Sequence, residues 1–149
     1  MGFRFRLQAL LKHREFVRRE AQTALGAAEH RKIAIRTQIE EMKEAIKSQC
    51  DRLEEEQHNG IGAKRYLDYK NYLALLERQL LELEVELADA SSAAEEKRTM
   101  VVERDKSVKL LENLEERARE AHGHAQGRRE IKQTDEISMA KEFRKRSGM

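Results

Sequence analysis

A chain of 149 residues would ordinarily build one globular core, but 39% charged residues, 5% aromatic residues and no tryptophan leave too few large apolar groups for a thick one. Near-equal acidic and basic counts give a net charge of +2, so charge does not mark the whole chain for nucleic acid. The single Cys50 excludes an internal disulfide and fits a reducing cytosol, and no apolar run approaches the roughly 20 residues of a membrane span.

The chain contains no proline, so a helical segment can run far without a kink. At the N-terminus Phe3 and Phe5 alternate with Arg4 and Arg6, either a frayed entry or a first helical turn. No hydrophobic stretch follows these arginines, so they do not read as a secretion signal. From Leu7 onward, apolar residues fall at three- and four-residue steps: Leu7, Leu10, Leu11, Val17, Ala21, Ala24, Leu25, Ala28, Ile35, Ile39, Met42, Ile46 and Leu53. One continuous stripe of this kind predicts a helix from about residue 4 to 57. Between Ala28 and Ile35 the stripe thins, and Arg31 takes an inner position.

His58-Asn59-Gly60-Ile61-Gly62 interrupts the pattern near the middle of the chain. Gly60 and Gly62 are able to take the positive φ that closes a helix C-terminus, so the chain is expected to reverse here. Beyond the turn, one seam position reads Leu73, Leu80, Leu87, Ala94, Val101, Val108 and Glu115. The other reads Tyr69, Leu76, Leu83, Ala90, Lys97, Arg104, Leu111 and Ala118. A seven-residue repeat sustained this long predicts a coiled coil, with the stems of Lys97 and Arg104 lying along the seam.

Folding the chain about residue 60 places Ile46 near Leu73, Met42 near Leu76 and Leu80, and Ile35 opposite Leu83 and Leu87. The same pairing sets Ala21, Ala24 and Ala28 against Ala90, Ala94 and Lys97, a close approach that Gly26 would help. It brings Leu7 to Leu11 near Leu111 and Leu114. The expected fold is therefore all-α, a long antiparallel two-helix coiled coil roughly 80 Å in length. His122-Gly123-His124 and Gly127 are expected to break the second helix. The hairpin would then occupy residues 1–122, and residues 123–149 would form a basic flexible tail that orders on a partner.

Charge is unevenly distributed. Arg4, Arg6, Lys12, Arg14, Arg18 and Arg19 face Glu15 alone across residues 3–19, and residues 128–146 are also basic in sum. The rest of the chain is acidic in sum. The hairpin would be basic at its open end and acidic elsewhere, which orients it toward charged partners. The arginines read most simply as a solvated face; an acidic protein cavity and nucleic acid, as in the helical tRNA-binding arm of some synthetases, are the other readings. Against nucleic acid stands the absence of interleaved aromatic and glycine residues.

No catalytic signature emerges. There is no glycine-rich phosphate loop, and His122 and His124, two residues apart, point to different sides of a helix, so neither cofactor nor metal is expected. Tyr66, Tyr69 and Tyr72, the three tyrosines of the chain, cluster just past the turn. At helical spacing Tyr72, Leu76, Gln79 and Leu83 form a line that is half seam and half surface. It would either close the hairpin tip or offer a strip to a partner protein.

These same residues carry a resemblance. Asn59-Gly60-Ile61, Arg65-Tyr66-Leu67-Asp68-Tyr69, Tyr72-Leu73 and Leu76-Glu77 resemble the turn and second helix of the flagellar export protein FliJ family. The opening Phe3 to Leu11 with Arg14-Glu15, and a late Asp135-Glu136-Ile137, resemble the family's two ends. The resemblance implies a nonenzymatic coiled-coil stalk of the flagellar type III export apparatus, similar to the central stalk of rotary ATPases. It also implies a cytoplasmic location, peripheral at the inner face of the cell membrane at the flagellar base, without membrane insertion. The implied partners are the hexameric export ATPase, the cytoplasmic domain of the export gate, and export chaperones.

Carried over by position, the gate contact would be Tyr72, Leu76, Gln79 and Leu83 with Gln38, Met42, Ala45 and Gln49 on the apposed helix. The ATPase-ring contact would be Arg4, Arg6, Arg14, Arg18 and Arg19. The equivalent stalk of a virulence secretion system, an RNA-binding helical arm and a self-assembling coiled coil are the alternatives.

Overall fold

The computed structural model describes residues 2–148. Two helices account for nearly all of them, α1 (Gln8–Asn59) and α2 (Ala63–Ser147), packed against each other, with no strand among the described residues. The connection is Gly60–Gly62. Gly60 alone takes a positive φ, +89°, and its N–H donates to the Gln57 carbonyl at 3.3 Å, tightening the last turn of α1. Gly62, expected to share that conformation, instead opens α2 by accepting the Tyr66 N–H at 3.1 Å.

The chain divides into two compact units, one spanning Arg19–Glu103 and the other made of residues up to Arg18 and from Arg104 onward. In the first unit, Ile35, Ile39 and Ala90 form a buried cluster with Leu80, Leu83 and Leu87 packed on it. Ile35 meets Leu83 and Leu87 as the periodicity predicts. Ala90 was expected opposite the alanines of α1 and packs on Ile35 and Ile39 instead. The connection occupies three residues centred on Ile61, so the pivot lies later than residue 60 and the facing layers shift. Gly26 does not assist a close approach: it is exposed, and a Cβ built there would meet nothing within 4 Å. Arg31 is exposed as well, and the half-buried position belongs to Lys32.

In the second unit, Leu11, Val108 and Leu111 make the core, with Phe5 packed against it. Residues 2–5 are irregular, so the alternation of Phe and Arg is a frayed entry and not a helical turn. Phe3 and Phe5 are nonetheless half-buried, and Phe3 lies 5.7 Å from the His122 ring and 5.4 Å from the Arg119 guanidinium. Leu7, Leu10 and Leu114 are exposed because Phe5 takes the place on the Leu11 layer. Arg104 also lies outside the seam; Asp105 and Ser107 are half-buried in its stead.

The break expected at Gly123 and Gly127 does not occur, since α2 continues unbroken to Ser147. A lone glycine inside a helix costs only about 1 kcal/mol relative to alanine, and the residues around these two are mostly good helix formers. From Arg128 to Gly148 every residue is exposed, including Ile131, Ile137, Met139 and Phe143. The helix there has no packing to support it and rests on propensity and on basic residues in its last turn, Arg144, Lys145 and Arg146. Since a Cβ at Gly123 or Gly127 meets nothing within 4 Å, the double change Gly123→Ala, Gly127→Ala should raise helical content and stabilise the segment by about 1–2 kcal/mol in sum. Circular dichroism and amide exchange over residues 123–147 check this. Unchanged exchange there would show that the glycines are not what limits the helix.

Candidate functional site

Two depressions lie next to each other along the Arg19–Glu103 unit, their linings one helical turn apart at Ala45 and Gln49 on α1 and at Tyr72 and Leu76 on α2. The first, about 460 Å³, is lined by Gln38, Met42 and Ala45 from α1 and Leu76, Gln79 and Leu83 from α2. Its apolar walls arise from the seam itself: Leu76 is buried, Met42 and Leu83 are half-buried, and Ala45 is too small to close the space between them. The second, about 680 Å³, lies toward the turn and brings Gln49 and Tyr72 together with Tyr69. All eight residues expected to form a partner-binding strip thus line one or other of two adjoining cavities.

Tyr72 is 46% exposed and Gln79 is exposed, whereas Leu76 is 6% exposed. The line is therefore mixed, with tyrosine and glutamine available at the surface and leucine committed to the seam. The tip is fastened separately. Glu56 accepts two bonds from Arg65, at 2.8 and 2.6 Å, in the bidentate geometry that suits guanidinium and carboxylate. That pairing, followed by a hydrogen bond with Tyr69, raises the Arg65 pKa above its already high value and keeps the charge in place. Lys70 lies 5.7 Å from the centre of the Tyr66 ring.

Sequence reasoning missed three residues that line the same groove as Leu76: Glu41, Glu82 and Glu86. Their spacing would have found them, because each lies three residues beyond a member of the strip, Gln38, Gln79 and Leu83, and so shares its flank.

The five arginines assigned to a ring contact separate into two groups. Arg4, Arg6 and Arg19 are exposed. Arg14 and Arg18 are half-buried and turned across the helix pair: Arg14 donates to the Ser107 carbonyl at 3.3 Å, and Arg18 to Asp105 at 3.1 Å. Lys109 approaches the other Asp105 oxygen at 2.9 Å. Hydrogen bonding from Lys109, and then from Arg18, holds the Asp105 carboxyl below its ordinary pKa.

His122 rests against Phe3, and no group of three His, Cys, Asp or Glu residues that could hold a metal ion occurs among the described residues. No helix is long and apolar enough to cross a membrane.

The sequence model of the family described as "Flagellar FliJ protein" matches residues 3–147, nearly the whole chain. This chain belongs to the FliJ family. Family membership makes it a component of the flagellar export apparatus, concerned with protein transport. Searches of curated proteins and of solved structures return no match. The match takes in both helices, the Gly60–Gly62 connection and the exposed segment of α2 beyond Gly127, so that segment is part of the FliJ pattern and not an appendage outside it.

Proposed function

We propose that this protein is a nonenzymatic stalk and adaptor of flagellar protein export, which binds the cytoplasmic domain of the export gate and docks in the hexameric export ATPase. The observation that carries the reading is the lining of the two adjoining cavities. Tyr72, Leu76, Gln79 and Leu83, aligned by helical spacing, and Gln38, Met42, Ala45 and Gln49, given by the FliJ resemblance, lie on two helices and distant in sequence, yet line neighbouring depressions with an apolar floor and exposed Tyr and Gln. Exposed aromatic residues beside an apolar floor are common anchors of protein interfaces.

The exposed Arg4, Arg6 and Arg19 are the side chains free to meet an acidic ring cavity. Binding there would accelerate the ATPase by favouring ring assembly or one subunit state, since a ligand shifts an equilibrium only by preferring one of its states. Export chaperones are the third class of partner, and the exposed end of α2 offers them or the ring an unpacked basic surface. The site of action would be the cytoplasmic face of the membrane at the flagellar base, reached through partners.

Tyr72→Ala tests the gate contact, because Tyr72 is exposed and its loss leaves the seam intact. Affinity for the isolated gate domain should fall about 10-fold or more, the range of an interface anchor, with the melting temperature unchanged. Undiminished binding would remove the strip from the gate interface.

A further inference from the structure

The groove around Leu76 and Leu83 carries a charge that the seam does not require. Of its lining residues, Glu41, Glu82 and Glu86 are acidic and none is basic. Among the described residues, none of the three carboxylates forms a salt bridge, whereas Glu29, Glu56 and Asp105 each meet an arginine of the opposite helix. Glu82 and Glu86 stand four residues apart on one helix face, where like charges repel. Three unpaired carboxylates thus surround an apolar floor formed by Met42, Ala45, Leu76 and Leu83. The cavity nearer the turn differs, since Lys64 and Arg65 there accompany Asp68.

We infer that the groove selects a basic amphipathic segment: large apolar side chains seated on Leu76 and Leu83, with Lys or Arg flanking them against Glu41, Glu82 and Glu86. This names the chemistry of the partner at the site proposed above, and it rests on that reading for the identity of the partner. An acidic or neutral segment of the same shape would leave the carboxylates unpaired beside it, so the glutamates discriminate by charge while the leucines and methionine supply contact. The cavity volume lies in the range of sites that seat apolar groups, and positive charge entering the groove would offset the repulsion between Glu82 and Glu86.

The experiment uses the full-length chain and two fluorescent 14-residue helical peptides, with Leu on one face and either Lys or Glu on the other. The Lys peptide should bind at least about 10-fold more tightly than the Glu peptide, with the preference shrinking as salt is raised. Glu41→Gln, Glu82→Gln and Glu86→Gln together should remove most of that preference. The charge-matched control Asp51→Asn, Glu54→Gln and Glu55→Gln, all exposed and outside the groove, should leave it nearly whole. Equal binding of the two peptides, or equal loss in both triple variants, overturns the inference.

The isolated gate domain supplies the second arm. If Tyr72→Ala weakens it and the groove triple does not, the charge selection is wrong and the gate reading survives. If neither variant of the chain alters gate binding while the peptide preference holds, the gate reading fails and the groove chemistry stands.

Discussion

Leu76→Ala is expected to lower the free energy of unfolding by about 2–3 kcal/mol, the lower part of the range for truncating a buried leucine. Leu76 is 6% exposed and stands in the seam of the Arg19–Glu103 unit, so its side chain is mainly structural even though it floors a groove. A two-helix seam buries little apolar surface per residue, and each layer therefore carries a large share of marginal total stability. The value falls toward the lower end because water can reach part of the space left beside an open groove, and no sealed cavity remains. Chemical denaturation read by circular dichroism measures it. A loss under about 1 kcal/mol would mean that the seam does not close around Leu76. The consequence for function is practical: weakened gate binding in Leu76→Ala would confound folding with contact, whereas Tyr72→Ala, at an exposed position, does not.

The second helix was legible in the sequence because its repeat is regular. Leu73, Leu76, Ala90, Ala94, Val108 and Leu111 are all buried as the heptads require, and Leu80, Leu83, Leu87 and Val101 are half-buried. Period alone identifies which face is inward, but not what lies across from it. Phase therefore assigns Arg104 to a seam that Asp105 and Ser107 fill, and Arg31 to an inner position where Lys32 is the half-buried residue. In the first place Asp105 pairs with Arg18 and Lys109; in the second Lys32 is half-buried where Arg31 is exposed. Glycine punctuation misled in the opposite sense. Gly60, at φ +89°, does end a helix, whereas Gly123 and Gly127 sit inside one, and a glycine's identity does not say which φ it adopts. The groove was half legible. Leu76, Gln79 and Leu83 follow from helical spacing and Gln38, Met42 and Ala45 from the family resemblance, while Glu41, Glu82 and Glu86 look like any other solvated carboxylates until the structure places them around one depression.

The arginines show the same limit and lead to the strongest electrostatic expectation. Arg18→Glu should destabilise the pairing of the first turns of α1 with α2, whereas Arg19→Glu, one residue away and exposed, should not. The reason is geometric. Arg18 reaches Asp105 at 3.1 Å with its side chain only 26% exposed, so a glutamate there loses the packed stem and sets a carboxylate beside a carboxylate. Asp105, whose pKa is held down in the folded protein, contributes stability that is present above the ordinary aspartate range near about 4 and is lost as pH falls through its lower folded value. In Arg18→Glu the larger contribution from Lys109 remains, but the Arg18 contribution is replaced by repulsion that protonation of the crowded pair relieves. The melting temperature of the variant should therefore lie below that of the natural chain at pH 7, and the gap should narrow as the pH approaches 3. A gap independent of pH would show that the loss is packing alone. The same comparison divides the proposed ring contact. Charge reversal at Arg4, Arg6 and Arg19 together should reduce stimulation of the cognate export ATPase with the melting temperature unchanged, while Arg18→Glu should reduce both. If stimulation survives the triple reversal and falls only with Arg18→Glu, the ATPase responds to the integrity of the helix pair at Arg18 and Asp105, and the exposed arginines are not its contact.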